Sequence, residues 1–571
     1  MADSSTVNVA THLAALAARE PDRAAVIWPR LRRNGIETTQ FTFAKLDRLS
    51  GQLARGLDEI GVRRGVRTVL MVRPSLDFFT LTFALFKVGA VPVLIDPGMG
   101  IRNLGKCLAE AEPEAFIGIP KAQIARRILR WAKDSIRVTV TTGSRVFGGK
   151  HTLRELQEAG EKTGPLPVAD TRADETAAIL FTSGSTGLAK GAVYTHGIFA
   201  AQVESLKSIY AIEPGEVDLC TFPLFALFGP ALGMTSIIPE MDPTRPAQVD
   251  PTKIIRAVEH FRVTNLFGSP ALINRVGRFG AEKGVKLPTL RRVISAGAPV
   301  PAKVVEQFTT MLGPGVQVFT PYGATEALPV ANIGSDTILK ETRHQSDQGQ
   351  GVCVGCPVAG MEVRIIPITD EPVPAFDEST RLSLGKVGEI AVSGPVVTAE
   401  YFGRPQATVL AKMRDSRGRI WHRMGDVGYF DARGRLWFCG RKSHRVVTPS
   451  GTLFTDQVEP VFNRVPGVVR TALVGVSHKG VMHPVICAEL GPTPGSPERD
   501  WENVYPDLRE AARRHDHTRQ IEVFLEYLPG SFPVDVRHNS KIFREQVASW
   551  AASEMDWMRL PADPQPAGAS R

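Results

Sequence analysis

The stretch Phe181-Thr182-Ser183-Gly184-Ser185-Thr186-Gly187-Leu188-Ala189-Lys190-Gly191 follows Ala177-Ala178-Ile179-Leu180, an apolar run of the kind a buried strand carries. Two hydroxylated pairs, Thr182-Ser183 and Ser185-Thr186, set among Gly184, Gly187, Gly191 and Lys190, have little use in a core. Glycine lets the chain reach positive φ and turn successive N–H groups toward one point, which suits an anion. The hydroxyls add donors and Lys190 a compact positive charge, so the stretch predicts a cradle for a polyphosphate. Its Gly-x-x-Gly-x-x-Lys spacing sets aside the Gly-x4-Gly-Lys-Ser/Thr loop of P-loop NTPases. Taken alone, the same residues would also suit a Ser/Gly-rich surface loop.

Upstream, residues 7–97 alternate helical and strand patterns. Helices are predicted over 7–19, 41–60 and 75–88, and strands over 66–72 and 89–97. This alternation predicts a parallel sheet covered by helices. Residues 124–133 read as a basic amphipathic helix, a solvated face over an apolar underside, with membrane-surface or partner docking as the alternative. Residues 145–172 read as an irregular connection.

Downstream, a helix is predicted over 197–210, and Thr221-Phe222-Pro223-Leu224-Phe225-Ala226-Leu227-Phe228-Gly229 gives an aromatic-rich turn into another. The strand Val293-Ile294-Ser295-Ala296 closes on Gly297-Ala298-Pro299, small residues at the strand edge where open α/β sheets bind ligands. In Tyr322-Gly323-Ala324-Thr325-Glu326 a flat ring can stack on a base, a hydroxyl can bond a phosphate, and a carboxylate can hold Mg²⁺. Residues 351–440 are short Gly/Pro-punctuated strands. Trp421-His422-Arg423-Met424-Gly425-Asp426 ends on a carboxylate that two neighbouring ribose hydroxyls can share, and Arg441 follows at Gly440-Arg441-Lys442-Ser443-His444. Near the C-terminus, Asn539-Ser540-Lys541-Ile542 places a lysine on a loop able to reach a distant site.

A chain of 571 residues exceeds one core and predicts several subdomains. Its charge, 68 − 59 = +9, suits nucleic acid, an anionic membrane, or an enzyme handling ATP and carboxylates. No nucleic-acid motif accompanies it, so nucleic acid is set aside. No apolar run reaches 18 residues and the N-terminus carries no secretory pattern, so no membrane span and a cytoplasmic location are expected. Six scattered cysteines fit a reducing compartment, and Cys353-x-x-Cys356 without a second pair reads as structural thiols.

These motifs resemble those of the ANL superfamily of adenylate-forming enzymes along nearly the whole chain. The resemblance implies an α/β fold. A large N-terminal domain (1–440) would hold parallel-rich sheets covered by helices and a β-rich subdomain over about 351–440. A small mobile α+β domain (441–560) and a disordered tail (561–571) would follow. It implies nucleotide binding by Thr182, Ser183, Gly184, Ser185, Thr186, Gly187 and Lys190. Gly297, Ala298, Pro299, Tyr322 and Gly323 would lie along adenine, Thr325 at the α-phosphate, Asp426 at the ribose, Arg441 at the ribose or phosphate, and Glu326 on Mg²⁺. The catalytic set would be Lys541, Lys190, Thr325 and Glu326, and the acyl pocket would include Phe225, Ala226 and Phe228. Departures from the family pattern are Ala189 for proline, Ala226 for a bulky residue, Met424 for threonine, His444 in the hinge and Ser540 for glycine.

Pro223-Leu-Phe-Ala-Leu-Phe-Gly229 with its missing bulky residue, the altered hinge and Pro533-Val-Asp-Val-Arg-His-Asn-Ser-Lys541 are together similar to the β-lactone synthetases of bacterial long-chain olefin biosynthesis. That likeness implies ATP and Mg²⁺ as cofactors and a long-chain 2-alkyl-3-hydroxyalkanoic acid as substrate. The acid would be activated as acyl-AMP, and its own 3-hydroxyl would then close a β-lactone. Assembly with the decarboxylase and reductase of the same pathway is implied as well. The alternatives are a medium- or long-chain acyl-CoA synthetase and a silent nucleotide-binding scaffold.

Overall fold

A computed structural model describes residues 6–32, 35–181, 189–222, 225–491, 499–534 and 542–555, with backbone only for 31, 32, 97, 147, 225 and 226. Thr182, Ser183, Gly184, Ser185, Thr186, Gly187, Lys541 and the tail lie outside these residues, as do the side chains of Phe225 and Ala226.

Among the described residues the first sheet has seven strands. From one edge these are His151–Thr152, Val138–Thr141, Ala115–Gly118, Arg67–Met71, Val91–Leu94, Thr176–Phe181 and Gly191–Thr195. All neighbours are parallel except the last pair, which is antiparallel with Phe181 opposite Gly191. That register brings Lys190 back to the end of the strand from which the phosphate-loop sequence departs. The helix Leu76–Val88 starts where the Ser75 hydroxyl accepts the Phe78 N–H at 3.2 Å and stops at Gly89, whose φ of 72° suits glycine. Its continuous apolar sequence matches burial all round rather than on one face.

The second sheet also has seven strands, in the order Gln317–Phe319, Arg292–Ile294, Asn265–Phe267, Val217–Cys220, Thr235–Ile237, Ala24–Arg32 and Gly35–Thr42. Its parallel strands end at Phe267, Ile294 and Phe319, so Ser269, the Ser295–Pro299 turn and Tyr322 gather beyond one edge. A third, antiparallel sheet runs from Tyr322–Ala324 to Glu362–Ile366 and pairs Asp426 with Arg441 across neighbouring strands. It is tied to the first sheet by the bridge Ala192–Tyr401, where the Phe402 N–H donates to the Gly191 carbonyl at 2.7 Å. After Arg441, Val468–His478, Val481–Leu490 and Val523–Tyr527 form a three-stranded sheet with its own core around Phe462, Ile486 and Leu508.

Three elements differ from the sequence reading. The irregular connection contains a helix, Leu153–Thr163, started by a capping box between Thr152 and Glu155. The helix read over 124–133 runs over Pro120–Ile128 and ends in a turn where Arg130 and Ala132 take positive φ. The hairpin Ala24–Arg32/Gly35–Thr42, not read from the sequence, extends the second sheet.

Candidate active site

One cavity of about 2490 Å³ lies between the sheets and collects the described site residues: Lys190, Gly297, Ala298, Pro299, Tyr322, Gly323, Thr325, Glu326, Asp426, Arg441 and Phe228. Residues separated by up to 251 positions in the chain (441 − 190) thus face one space. Ile542, next in sequence to Lys541, is also on its wall.

At one end of the cavity Asp426 is buried, and each of its oxygens accepts one hydrogen bond. The Tyr322 hydroxyl donates to its Oδ2 at 2.7 Å, and Arg441 Nη1 donates to its Oδ1 at 2.7 Å. The carboxylate next to Arg441 raises the guanidinium's already high pKa, and burial with the Asp426 charge pushes the Tyr322 phenol well above its ordinary value. Tyr322 is therefore a neutral donor and Asp426 a fixed acceptor. Phe438, 6.1 Å from the Tyr322 ring, completes an aromatic corner on the same wall. Gly323 permits a close approach there, since a Cβ would meet the Ala327 carbonyl at 2.6 Å. Gly297 has a φ of 105°, which opens the backbone of its turn as the small-residue sequence predicts.

At the other end the Tyr401 hydroxyl donates to Glu326 Oε1 at 2.6 Å, and Lys190 Nζ lies 5.0 Å over the Tyr401 ring. The Glu326 carbonyl accepts the Thr398 N–H at 2.9 Å and its hydroxyl at 3.2 Å. Lys412 in turn grips Thr398, with Nζ donating to the carbonyl at 2.6 Å and to Oγ1 at 3.1 Å. Burial lowers the Lys412 amine to about 7, against the opposing pull of Glu326. The Tyr194 hydroxyl holds the Thr325 carbonyl at 2.6 Å. His422, paired with Lys412 across two strands, is buried, and burial holds its pKa well below the ordinary value, so it is neutral.

Tyr401, Thr398, Lys412, His422 and Phe438 carry no local signal of these roles. Only strand register reveals them. A divalent cation fits this end: Glu326 is a half-buried carboxylate facing the cavity beside Lys190, and Mg²⁺ is commonly held by one or two carboxylates plus substrate phosphates. His196, near the phosphate loop in sequence, is buried at a helix start and lowered to about 4 by burial, a structural position. Cys353 is buried and Cys356 exposed, both as thiols.

Another part of the cavity wall is apolar, formed by Trp28, Phe78, Phe86, Phe199, Leu227 and Phe228, and Ile119 and Ala122 line the cavity as well. Phe86 and Phe228 flank Phe199 at 5.5 and 6.4 Å. Polar residues able to hold a nucleotide and an apolar wall thus line one cavity.

Residues 13–402 match the AMP-binding enzyme family. The chain is 52% identical over 559 residues to the olefin beta-lactone synthetase of Stenotrophomonas maltophilia (strain K279a), covering 96% of this chain and 99% of that protein. It is also 52% identical over 554 residues to the olefin beta-lactone synthetase of Xanthomonas campestris pv. campestris, covering 96% and 98%. Among solved structures, the amide bond synthetase McbA from Marinactinospora thermotolerans superposes with a TM-score of 0.76 at 23% identity, over 95% of this chain and 99% of that one, which shows a shared fold.

Proposed function

Because the chain belongs to the AMP-binding, adenylate-forming enzyme family, we propose that it activates a long-chain 2-alkyl-3-hydroxyalkanoic acid with ATP and closes it to a β-lactone. The observation that carries this reading is the single cavity lined by the Asp426–Arg441 and Glu326–Lys190 ends and an apolar wall. In the first step a carboxylate oxygen attacks the α-phosphorus, the bond to the β-phosphate oxygen breaks, and pyrophosphate leaves with the electron pair. Asp426 takes the ribose hydroxyls, the Tyr322–Phe438 corner takes the base, and Lys190 and Lys541 stabilise charge developing on the phosphoryl oxygens. Bound Mg²⁺ neutralises phosphate charge, and Glu326 would hold it. The phosphate-loop residues Thr182, Ser183, Gly184, Ser185, Thr186 and Gly187 would cradle the polyphosphate.

In the second step the 3-hydroxyl oxygen attacks the acyl carbon, AMP departs with the acyl C–O bonding pair, and the hydroxyl proton is released. The nucleophile is already part of the substrate, so tethering supplies an advantage that a second substrate would otherwise have to provide. For this chemistry the chain divides at 440/441, with 441–560 as the lid that delivers Lys541. Assembly with the β-lactone decarboxylase and reductase of the same pathway, in the cytoplasm, completes the reading.

The test is incubation with ATP, Mg²⁺ and a 2-alkyl-3-hydroxy acid without CoA. A β-lactone with one AMP per product is expected, and Lys541→Ala should lower pyrophosphate release at least about a hundredfold. A thioester formed only after CoA is added would replace this reading with an acyl-CoA synthetase.

A further inference from the structure

The helix Pro120–Ile128 wears its amphipathicity inside out. Its buried positions are Ala122 and Gln123, and Gln123 Nε2 is tied to the Val140 carbonyl at 2.8 Å. Its outer face carries Ile124 and Ile128, one turn apart and 38% and 74% exposed. Leu129 follows at 44%, Val146 lies on a turn at 84%, and Ile101 on a neighbouring helix is 63% exposed. These are five of the twelve large apolar side chains exposed among the described residues, so the clustering is not the ordinary scatter of surface leucines. The packing joins them. Arg127 lies against Gly148 beside the Val146 turn, and Gly105, one turn after Ile101, rests on Trp131 just beyond the helix.

Cations ring this apolar centre. Arg102, Lys106, Lys121, Arg127 and Arg130 take part in no ion pair among the described residues, whereas Lys133 and Arg145 pair with Asp134 and Glu155. We propose that the outer face of the Pro120–Ile128 helix, with Ile101, Leu129 and Val146 around it, docks the protein on an anionic lipid bilayer. Aliphatic side chains set shallowly among arginines and lysines match the acyl–headgroup boundary, where long basic side chains reach back to anionic lipid. Among the described residues the exposed apolar side chains of this patch are all aliphatic, whereas protein interfaces favour aromatic anchors. The inner side of the same segment, Ile119 and Ala122, also lines the cavity.

The experiment is co-sedimentation of the full-length protein with phosphatidylglycerol–phosphatidylethanolamine vesicles, and with phosphatidylcholine vesicles as the neutral control. Binding to the anionic vesicles, weakened by salt, is expected. Ile128→Glu with Leu129→Glu, and separately Lys121→Glu with Arg130→Glu, should each weaken it at least about tenfold. Pyrophosphate release with a short, water-soluble 3-hydroxy acid should not change in either variant. Wild-type protein left in the supernatant, equal binding to neutral vesicles, or unchanged binding by both variants would overturn the proposal. Loss of a pathway protein in pull-down, with vesicle binding intact, would overturn it in favour of a protein-docking face.

Discussion

Lys412 shows how one side chain can serve a site it does not touch. It lies on the short strand Lys412–Arg414, and its amine, 9% exposed as a residue, is spent on Thr398, which in turn fixes the backbone of Glu326. Replacing it with a methionine of similar length leaves the packing filled but frees Thr398. The Mg²⁺ concentration needed for half-maximal pyrophosphate release should rise about tenfold in Lys412→Met, the usual scale for lost support behind a metal ligand. The KM for the acid should barely move, and Lys412→Arg should restore part of the loss. Magnesium titration of both variants checks this. That Lys190, Glu326 and Asp426 would share one cavity was legible because each sits in a short motif with a distinctive neighbour. Lys412 and Thr398 were not, because their roles arise where separate strands meet.

Between residues and the whole stand the elements, and the helix Thr455–Phe462 is the informative one. It rests on the end of the strand Leu436–Arg441: a Cβ on Gly440, whose φ is 130°, would run into Thr455 Oγ1 and lie 3.2 Å from Asp456 Oδ2. Burial, with Glu459 adding to it, raises the Asp456 carboxyl to about 6. A folded value above the unfolded one means that the group's contribution to stability is full below about 4 and lost as pH rises through about 6. Asp456→Asn should therefore flatten the fall in Tm between those values and raise Tm near neutrality by a few degrees. Thermal unfolding of both proteins across that range decides it. The elements were legible where one pattern ran long enough, as in Phe43–Glu59 and Leu76–Val88. They were lost where composition masked a local signal. Thr152-x-x-Glu155 announces a helix, but its Gly- and Lys-rich surroundings drew the reading toward a loop.

For the molecule as a whole, the alternating pattern fixed the class of fold, while sheet membership needed contacts that no local pattern carries. The hairpin Ala24–Thr42 pairs with Thr235–Ile237, a partner that becomes evident only in space. The site is shared between sheets in the same way, so a bound nucleotide stabilises their mutual packing rather than one element. ATP with Mg²⁺ at about a hundred times its Kd should contribute about 2.7 kcal/mol and raise the unfolding temperature measurably. Asp426→Asn, which removes the acceptor proposed for the ribose, should cut that increment, and calorimetry with and without nucleotide checks both.

The bridge from Ala192 to Tyr401 has a consequence for how the chain is made. Tyr401 supports Glu326, Tyr194 holds Thr325, and the partners in the second pair stand 131 positions apart. During synthesis the strand that ends the phosphate loop leaves the ribosome long before the segment that clasps it, so its edge must wait unpaired. Nucleotide affinity is then among the last properties a nascent chain acquires, and retention on immobilised ATP would sort finished molecules from partly folded ones.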